Sequence, residues 1–128
     1  MTYLVVDDEV LIRKSLARAL TARGCTCIEA ENGQMALQLL AEHKIDALIL
    51  DLIMPVKSGY DVIQESTQQV PIFIISAFTG PELSSDYLNS DSRIQFLLKK
   101  PFENLFEVVD KMINQTNLYY ERIQGAKV

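Results

Sequence analysis

Ala47-Leu48-Ile49-Leu50-Asp51 is an unbroken apolar run closed by a carboxylate. No polar residue alternates through it, so neither face of a strand built from it can meet water, and the run reads as a strand covered on both sides. Ile45 extends it to 45–50, and four more short runs repeat the pattern along the chain, at 3–6, 25–30, 70–75 and 94–98. Helix-period stretches lie between them. Residues 9–22 put Ile12, Leu16, Ala19 and Leu20 on one face, and 34–43, entered through Asn32-Gly33, do the same with Met35, Leu37, Leu39 and Leu40. Apolar strands alternating with helices predict an α/β domain, a five-stranded parallel sheet with helices on both faces.

The fourth and fifth helices read differently from the first two. Thr79-Gly80-Pro81-Glu82 is a good helix start, but Ser84-Ser85-Asp86 and Asn89-Ser90-Asp91-Ser92 are poor helix formers. A short, mobile helix is expected there. The last helix begins beyond Pro101 and carries Leu105, Val109, Met112, Thr116, Tyr119 and Ile123 at alternating spacings of four and three. The chain divides into a domain over 1–115 and an extension over 116–128, which reads either as a frayed tail or as a dimer or linker helix.

A chain of 128 residues, 48% hydrophobic and 23% charged, has material for one core. Its formal charge of −5 repels phosphate backbones and anionic lipid, so direct binding to nucleic acid or to a membrane is not expected. No apolar run approaches the roughly 18 residues of a membrane span, and Met1-Thr2-Tyr3-Leu4-Val5-Val6-Asp7-Asp8-Glu9 lacks the basic flank of a signal peptide. A soluble, cytoplasmic protein is expected. Cys25 and Cys27, two apart on one strand, have poor geometry for a disulfide and cannot complete a zinc site, so two free thiols are expected. His43, the only histidine, sits on a polar helix end and reads as exposed.

In open parallel sheets the ligand site lies beyond the carboxyl ends of the strands, where the strand order reverses. Asp7 and Asp8 close the first strand and Asp51 the third. Carboxylates gathered there repel one another unless a cation joins them. With no sulfur or imidazole nearby in sequence, a hard oxygen-seeking ion, Mg²⁺ first, is the natural partner. The fourth strand runs into Ser76 and the fifth into Lys99-Lys100-Pro101, bringing a hydroxyl and an ammonium to the same end. Asp7, Asp8 and Asp51 with one divalent cation and Lys100 sum to zero formal charge. An acyl phosphate on Asp51 unbalances that sum, and moving a donor, most easily Ser76, absorbs the change. Alone, an aspartate after a strand is ordinarily a turn or cap residue and a Lys-Lys pair a solvated edge. Their joint occurrence at four strand ends is what points to a site.

These residues resemble the receiver domain of two-component response regulators. The likeness rests on Val5-Val6-Asp7-Asp8-Glu9, Glu31-Asn32-Gly33, Asp51-Leu52-Ile53-Met54-Pro55-Val56-Lys57-Ser58-Gly59-Tyr60, Pro71-Ile72-Phe73-Ile74-Ile75-Ser76-Ala77 and Lys100-Pro101-Phe102. It implies a flavodoxin-like receiver topology with strand order 2-1-3-4-5. It further implies that Asp51 accepts a phosphoryl group from the phosphohistidine of a histidine kinase or phosphotransfer protein. By the same resemblance Asp8 and Asp51 bind Mg²⁺ directly, Asp7 through water, and the Ile53 backbone carbonyl completes the protein ligands. Lys100 would pair with the phosphoryl oxygens after a cis Lys100-Pro101 bond, and Ser76 would hydrogen-bond the group. The fourth helix, fifth strand and fifth helix would form the switching face toward an output domain or protein, with a homodimer as one possibility. Such a unit modifies and restores itself and is not a turnover enzyme.

Departures from the family pattern carry their own expectations. Ser76 stands where threonine is commoner, and Leu97 where an aromatic residue usually couples to the hydroxyl. Strand alternation sends the neighbouring Phe96 to the opposite face. Counting from Lys99 would restore the aromatic spacing, but the Lys-Pro pair favours Lys100. Ile53 and Phe78 are apolar where the family flanks the path of attacking water, so a long-lived phosphoryl aspartate is expected.

Three other functions compete. A phosphatase using Asp51 or Asp7 as nucleophile needs an acid two residues on and a cap, and Asp7 is followed by Asp8-Glu9 with no insertion for a cap. A flavin module needs a phosphate loop after the first strand, which is absent. A receiver-like binding module that is never phosphorylated stays open. So does the choice between a free-standing regulator and part of a longer protein.

Overall fold

The computed structural model describes residues 1–77 and 85–125. Along them run β1 (Thr2–Val6), α1 (Val10–Ala22), β2 (Thr26–Ala30), α2 (Gly33–Glu42), β3 (Ala47–Asp51), α3 (Gly59–Glu65), β4 (Ile72–Ser76), α4 (Ser85–Leu88), β5 (Ile94–Lys99) and α5 (Leu105–Gly125). The strands pair in parallel in the order β2-β1-β3-β4-β5, as expected. The order reverses at β1, so β1 and β3 lie side by side with their carboxyl ends together, Val6 opposite Leu50.

Alternation along each strand sorts the core into two layers. Leu4, Val6, Leu48, Leu50, Ile72 and Ile74 face α2 and α3. Tyr3, Val5, Ala47, Ile49, Phe73 and Ile75 face α1 and α5. At β5 the register slips, Ile72 pairing with Ile94 but Phe73 with Phe96, so Gln95 is passed over. That irregularity turns Ile94 and Phe96 to opposite layers despite their two-residue spacing. Phe96 lies against Phe73 with ring centroids 4.9 Å apart, and Leu97 faces the other layer, as alternation requires.

Helix entries show why the loops above the sheet hold their shape. Asn32 caps α2, its side chain accepting from the Met35 N–H at 2.9 Å. Gly33 begins that helix under the Lys57 carbonyl, where a Cβ would sit 2.5 Å from the oxygen, so only glycine fits. The tight approach explains a correction to the α2 face: Gly33, Ala36 and Leu40 point inward, Leu37 and Leu39 are half-buried, and Met35 is exposed. Ser58 caps α3 reciprocally with Asp61, an arrangement worth about 1 kcal/mol. Between these anchors Val56 is held at φ 71°, a left-handed conformation that disfavours a β-branched residue.

The sequence signal for a helix start at Thr79-Gly80-Pro81-Glu82 lies outside the described residues, among which α4 runs over Ser85–Leu88. α5 is continuous through Gly125, and beyond residue 115 it remains packed: Thr116 and Tyr119 are buried. The Thr116 hydroxyl lies 2.8 Å from the Tyr3 hydroxyl, and Tyr120 donates to the Asp46 carbonyl at 2.6 Å. Cys25 and Cys27 are free thiols, and burial pushes Cys27 up to about 11. His43 is exposed. No helix among the described residues is long and apolar enough to cross a membrane.

Candidate functional site

Carboxyl ends of β1, β3, β4 and β5 surround an open cleft of about 320 Å³ lined by Asp8, Glu9, Asp51, Ile53, Ser76, Ala77 and Lys100. Each reaches it for a reason rooted in the sheet. Asp51 is the last residue of β3, buried because the strand beneath it is apolar on both faces. Ser76 ends β4, also buried. Lys100 follows β5; its N–H donates to the Ser76 carbonyl at 2.9 Å, and the Lys100-Pro101 peptide is cis.

The ammonium of Lys100, only 7% exposed, lies 2.5 Å from Asp7 Oδ2, 3.3 Å from Asp51 Oδ2 and 3.1 Å from Glu9 Oε1. This geometry selects Lys100 over Lys99, which is exposed at the end of β5. Glu9 as a further carboxylate on Lys100 was not foreseen. Its adjacency to Asp7-Asp8 was the available signal, but its reach across to the loop after β5 is tertiary.

Electrostatics at the cleft is that of anions held in short supply of partners. Burial pushes the Asp7 carboxyl above its ordinary range, with Lys100 and the Glu9 N–H pulling the other way. Asp51 is raised too, first by burial and then by the Asp7 charge, against Lys100 and the Ile53 N–H. Burial alone would lower the Lys100 ammonium, but the close ion pair with Asp7 and the Asp51 charge outweigh it and hold the group above the ordinary lysine value. The Ile53 N–H donates to Asp51 Oδ1 at 3.3 Å, which brings the Ile53 backbone to the site while its side chain is 58% exposed. Phe78, its expected companion, lies outside the described residues.

Asp7, Asp8 and Asp51 each offer a carboxylate oxygen within 4.8 Å of the others. Asp7 Oδ2 is buried and accepts no hydrogen bond in good geometry, Lys100 being its ion-pair neighbour. An all-oxygen donor set with an under-satisfied buried anion fits a hard divalent cation. Chemically the cleft presents a carboxylate nucleophile, a fixed ammonium, a hydroxyl and room for a tetrahedral group between them.

Comparison with known proteins agrees with the geometry. A family model for the response regulator receiver domain matches residues 3–113. A probable transcriptional regulator of Cyanidium caldarium, ycf27, is 36% identical over 80% of this chain, which covers 51% of that protein. The chain spans between about a third and a half of the length of the curated relatives it matches. Among solved structures, a Francisella response regulator receiver domain superposes with a TM-score of 0.76 at 26% identity, covering 95% of this chain and 98% of that one. The Thermotoga maritima response regulator TrrA, solved with Mg²⁺ and a beryllofluoride, superposes with a TM-score of 0.70 at 28% identity over 90% of this chain and 97% of its own.

Proposed function

The chain belongs to the response regulator receiver domain family, a signalling domain of two-component phosphorelays, and on that premise we propose that Asp51 is its phosphoacceptor. The observation that carries this is the convergence of Asp51, Lys100 and Ser76 on one cleft with two further carboxylates. In the proposed step an Asp51 carboxylate oxygen attacks the phosphorus of a phosphohistidine, forming the acyl phosphate as the phosphorus–nitrogen bond breaks and the imidazole leaves. Lys100, freed from part of its contact with Asp51, pairs with a phosphoryl oxygen. Ser76 donates its hydroxyl to another, drawing the end of β4 toward the new charge.

Asp8 and Asp51 would hold Mg²⁺ directly, with the Ile53 carbonyl, and Asp7 through water. When bound, that ion offsets carboxylate repulsion and charge on the transferring group. The phosphodonor is a histidine kinase or phosphotransfer protein, which places the reaction in the cytoplasm. The altered surface is the face of α4, β5 and α5, and what reads it, an output domain, a partner protein or a second copy, lies outside this chain's own chemistry. The unit returns to its starting state by losing phosphate and turns over no separate substrate. The apolar Ile53 beside the acceptor carboxylate fails to orient water, so the phosphoryl group persists; Ile53→Asn shortens its lifetime.

Intact mass after incubation with a small phosphodonor and Mg²⁺, beside an Asp51→Ala variant, tests the reading. One phosphoryl group that requires Mg²⁺ and is lost in the variant is expected. A phosphoryl group retained by Asp51→Ala, or none under any donor including a phosphorylated phosphotransfer protein, would overturn it and favour a receiver-like binding module.

A further inference from the structure

Asp8 is the exposed member of the carboxylate trio, and no hydrogen bond or ion pair among the described residues fixes its side chain. Its placement therefore follows from the backbone that carries it. Three bonds fix that backbone on the Asp7 side. The Asp7 N–H donates to the Ala30 carbonyl at 3.1 Å, continuing the ladder between β1 and β2. The Glu9 N–H donates to Asp7 Oδ1 at 2.9 Å. The third partner is Arg13, one turn into α1, whose Nη1 donates to the Asp7 carbonyl at 2.7 Å.

Solvent could serve a carbonyl at the end of a strand without desolvating a charge, so a half-buried guanidinium held there costs free energy that its contacts must offset. Arg13 is nonetheless only 13% exposed along its side chain. Its Nε is braced on Glu29 Oε1 at 3.2 Å, and the other Glu29 oxygen accepts from Lys14 at 2.9 Å. The peptide that Arg13 grips is the one joining Asp7 to Asp8, and its plane sets the direction in which both carboxylates leave the chain.

The geometry points to Arg13 as a positioning residue for the metal-binding carboxylates, with Glu29 on β2 as its anchor. This rests on the reading that Asp7, Asp8 and Asp51 hold Mg²⁺. Two effects of removing Arg13 have opposite signs. As a cation near the site it repels a divalent ion, so its loss through space alone would tighten Mg²⁺. As the brace of the Asp7–Asp8 peptide it preorganises the ligands, so its loss would weaken Mg²⁺.

Titration calorimetry of Mg²⁺ into the full chain, with the metal-free melting temperature measured alongside, separates the two. Arg13→Met is expected to weaken Mg²⁺ on the order of tenfold. Arg13→Lys recovers part of that, since one ammonium can reach the carbonyl but lacks the fork that also grips Glu29. Glu29→Gln, which leaves Arg13 in place, gives a smaller loss in the same direction. Unchanged or tighter Mg²⁺ binding by Arg13→Met, with or without a lower melting temperature, would overturn the role. Should Arg13→Met not fold, Arg13→Lys decides, since it keeps the charge and changes only the grip, affinity equal to that of the unsubstituted chain overturning the role. An unsubstituted chain that takes up no Mg²⁺ would overturn the metal reading and this inference with it, a result distinct from any difference between variants.

Discussion

The two ends of the sheet are built on opposite terms. At the amino end buried polar groups are matched. Arg93, buried behind β5, donates to Asp91, to the hydroxyl and carbonyl of Ser66, and to the carbonyls of Gln68 and Ile63. Asp46 accepts from the Thr2 N–H at 2.7 Å through its side chain and from Tyr120 through its carbonyl. At the carboxyl end Asp7, Glu9 and Asp51 share one ammonium, Asp7 and Asp51 are pushed away from ionisation, and Val56 is strained. Matched groups at one end stabilise the fold, and the other end is left short of partners, as the proposed phosphoryl ligand and its metal would require.

The comparison breaks most visibly at Arg93. Arg93→Met leaves one half-exposed carboxylate and several carbonyls unpaired, and should lower stability by about 3 kcal/mol in urea titration. Metal affinity should be unchanged, because the residue lies at the far end of β5. A loss near zero would mean that the amino end does not hold the fold together.

At the opposite end the sign reverses. Asp51→Asn removes one of the crowded carboxylates while Asp7 keeps Lys100, and should raise metal-free stability at neutral pH by about 1 kcal/mol. Destabilisation by the same change would show the acidic cluster to be well satisfied without a ligand. Val56→Gly relieves the left-handed strain, offset by the greater freedom of glycine in the unfolded chain, for a net gain of about 0.5 kcal/mol. Val56 is 78% exposed, so little packing is lost with it.

The smallest effect concerns alkaline pH. Burial pushes the Tyr120 hydroxyl up to about 12 from the ordinary 10. The folded state therefore keeps its proton where the unfolded chain gives it up, and the stabilisation present below pH 10 is lost as pH rises toward 12. Tyr120→Phe should flatten that part of the stability profile, measured by urea midpoints across the range. An unaltered slope would remove Tyr120 from the amino-end network.

Much of the carboxyl end was legible in sequence because a parallel sheet brings strand termini together, so residue types at the ends of four apolar runs specify the cleft. Asp7, Asp8, Asp51, Ser76 and Lys100 converge there for that reason. Arg13 was not legible, since its partner is a backbone carbonyl and no residue type marks one. The α2 face was misread because hydrophobicity favours Met35 over Ala36, whereas the close approach of Gly33 to Lys57 fixes the start of the helix and turns Gly33, Ala36 and Leu40 inward. Beyond residue 115 the apolar spacing was visible, but Tyr120 meets Asp46 through a carbonyl, and the spacing could not separate a packed end from a free one.

The most direct test of the central claim is to locate the modified residue. Borohydride reduces an acyl phosphate of aspartate to homoserine, so peptide mapping of the phosphorylated and reduced chain reads the acceptor as a changed residue. Homoserine at position 51, and at no other aspartate, is the predicted result. Homoserine at position 7 or 8, or a phosphorylated chain with no converted aspartate, would contradict the account.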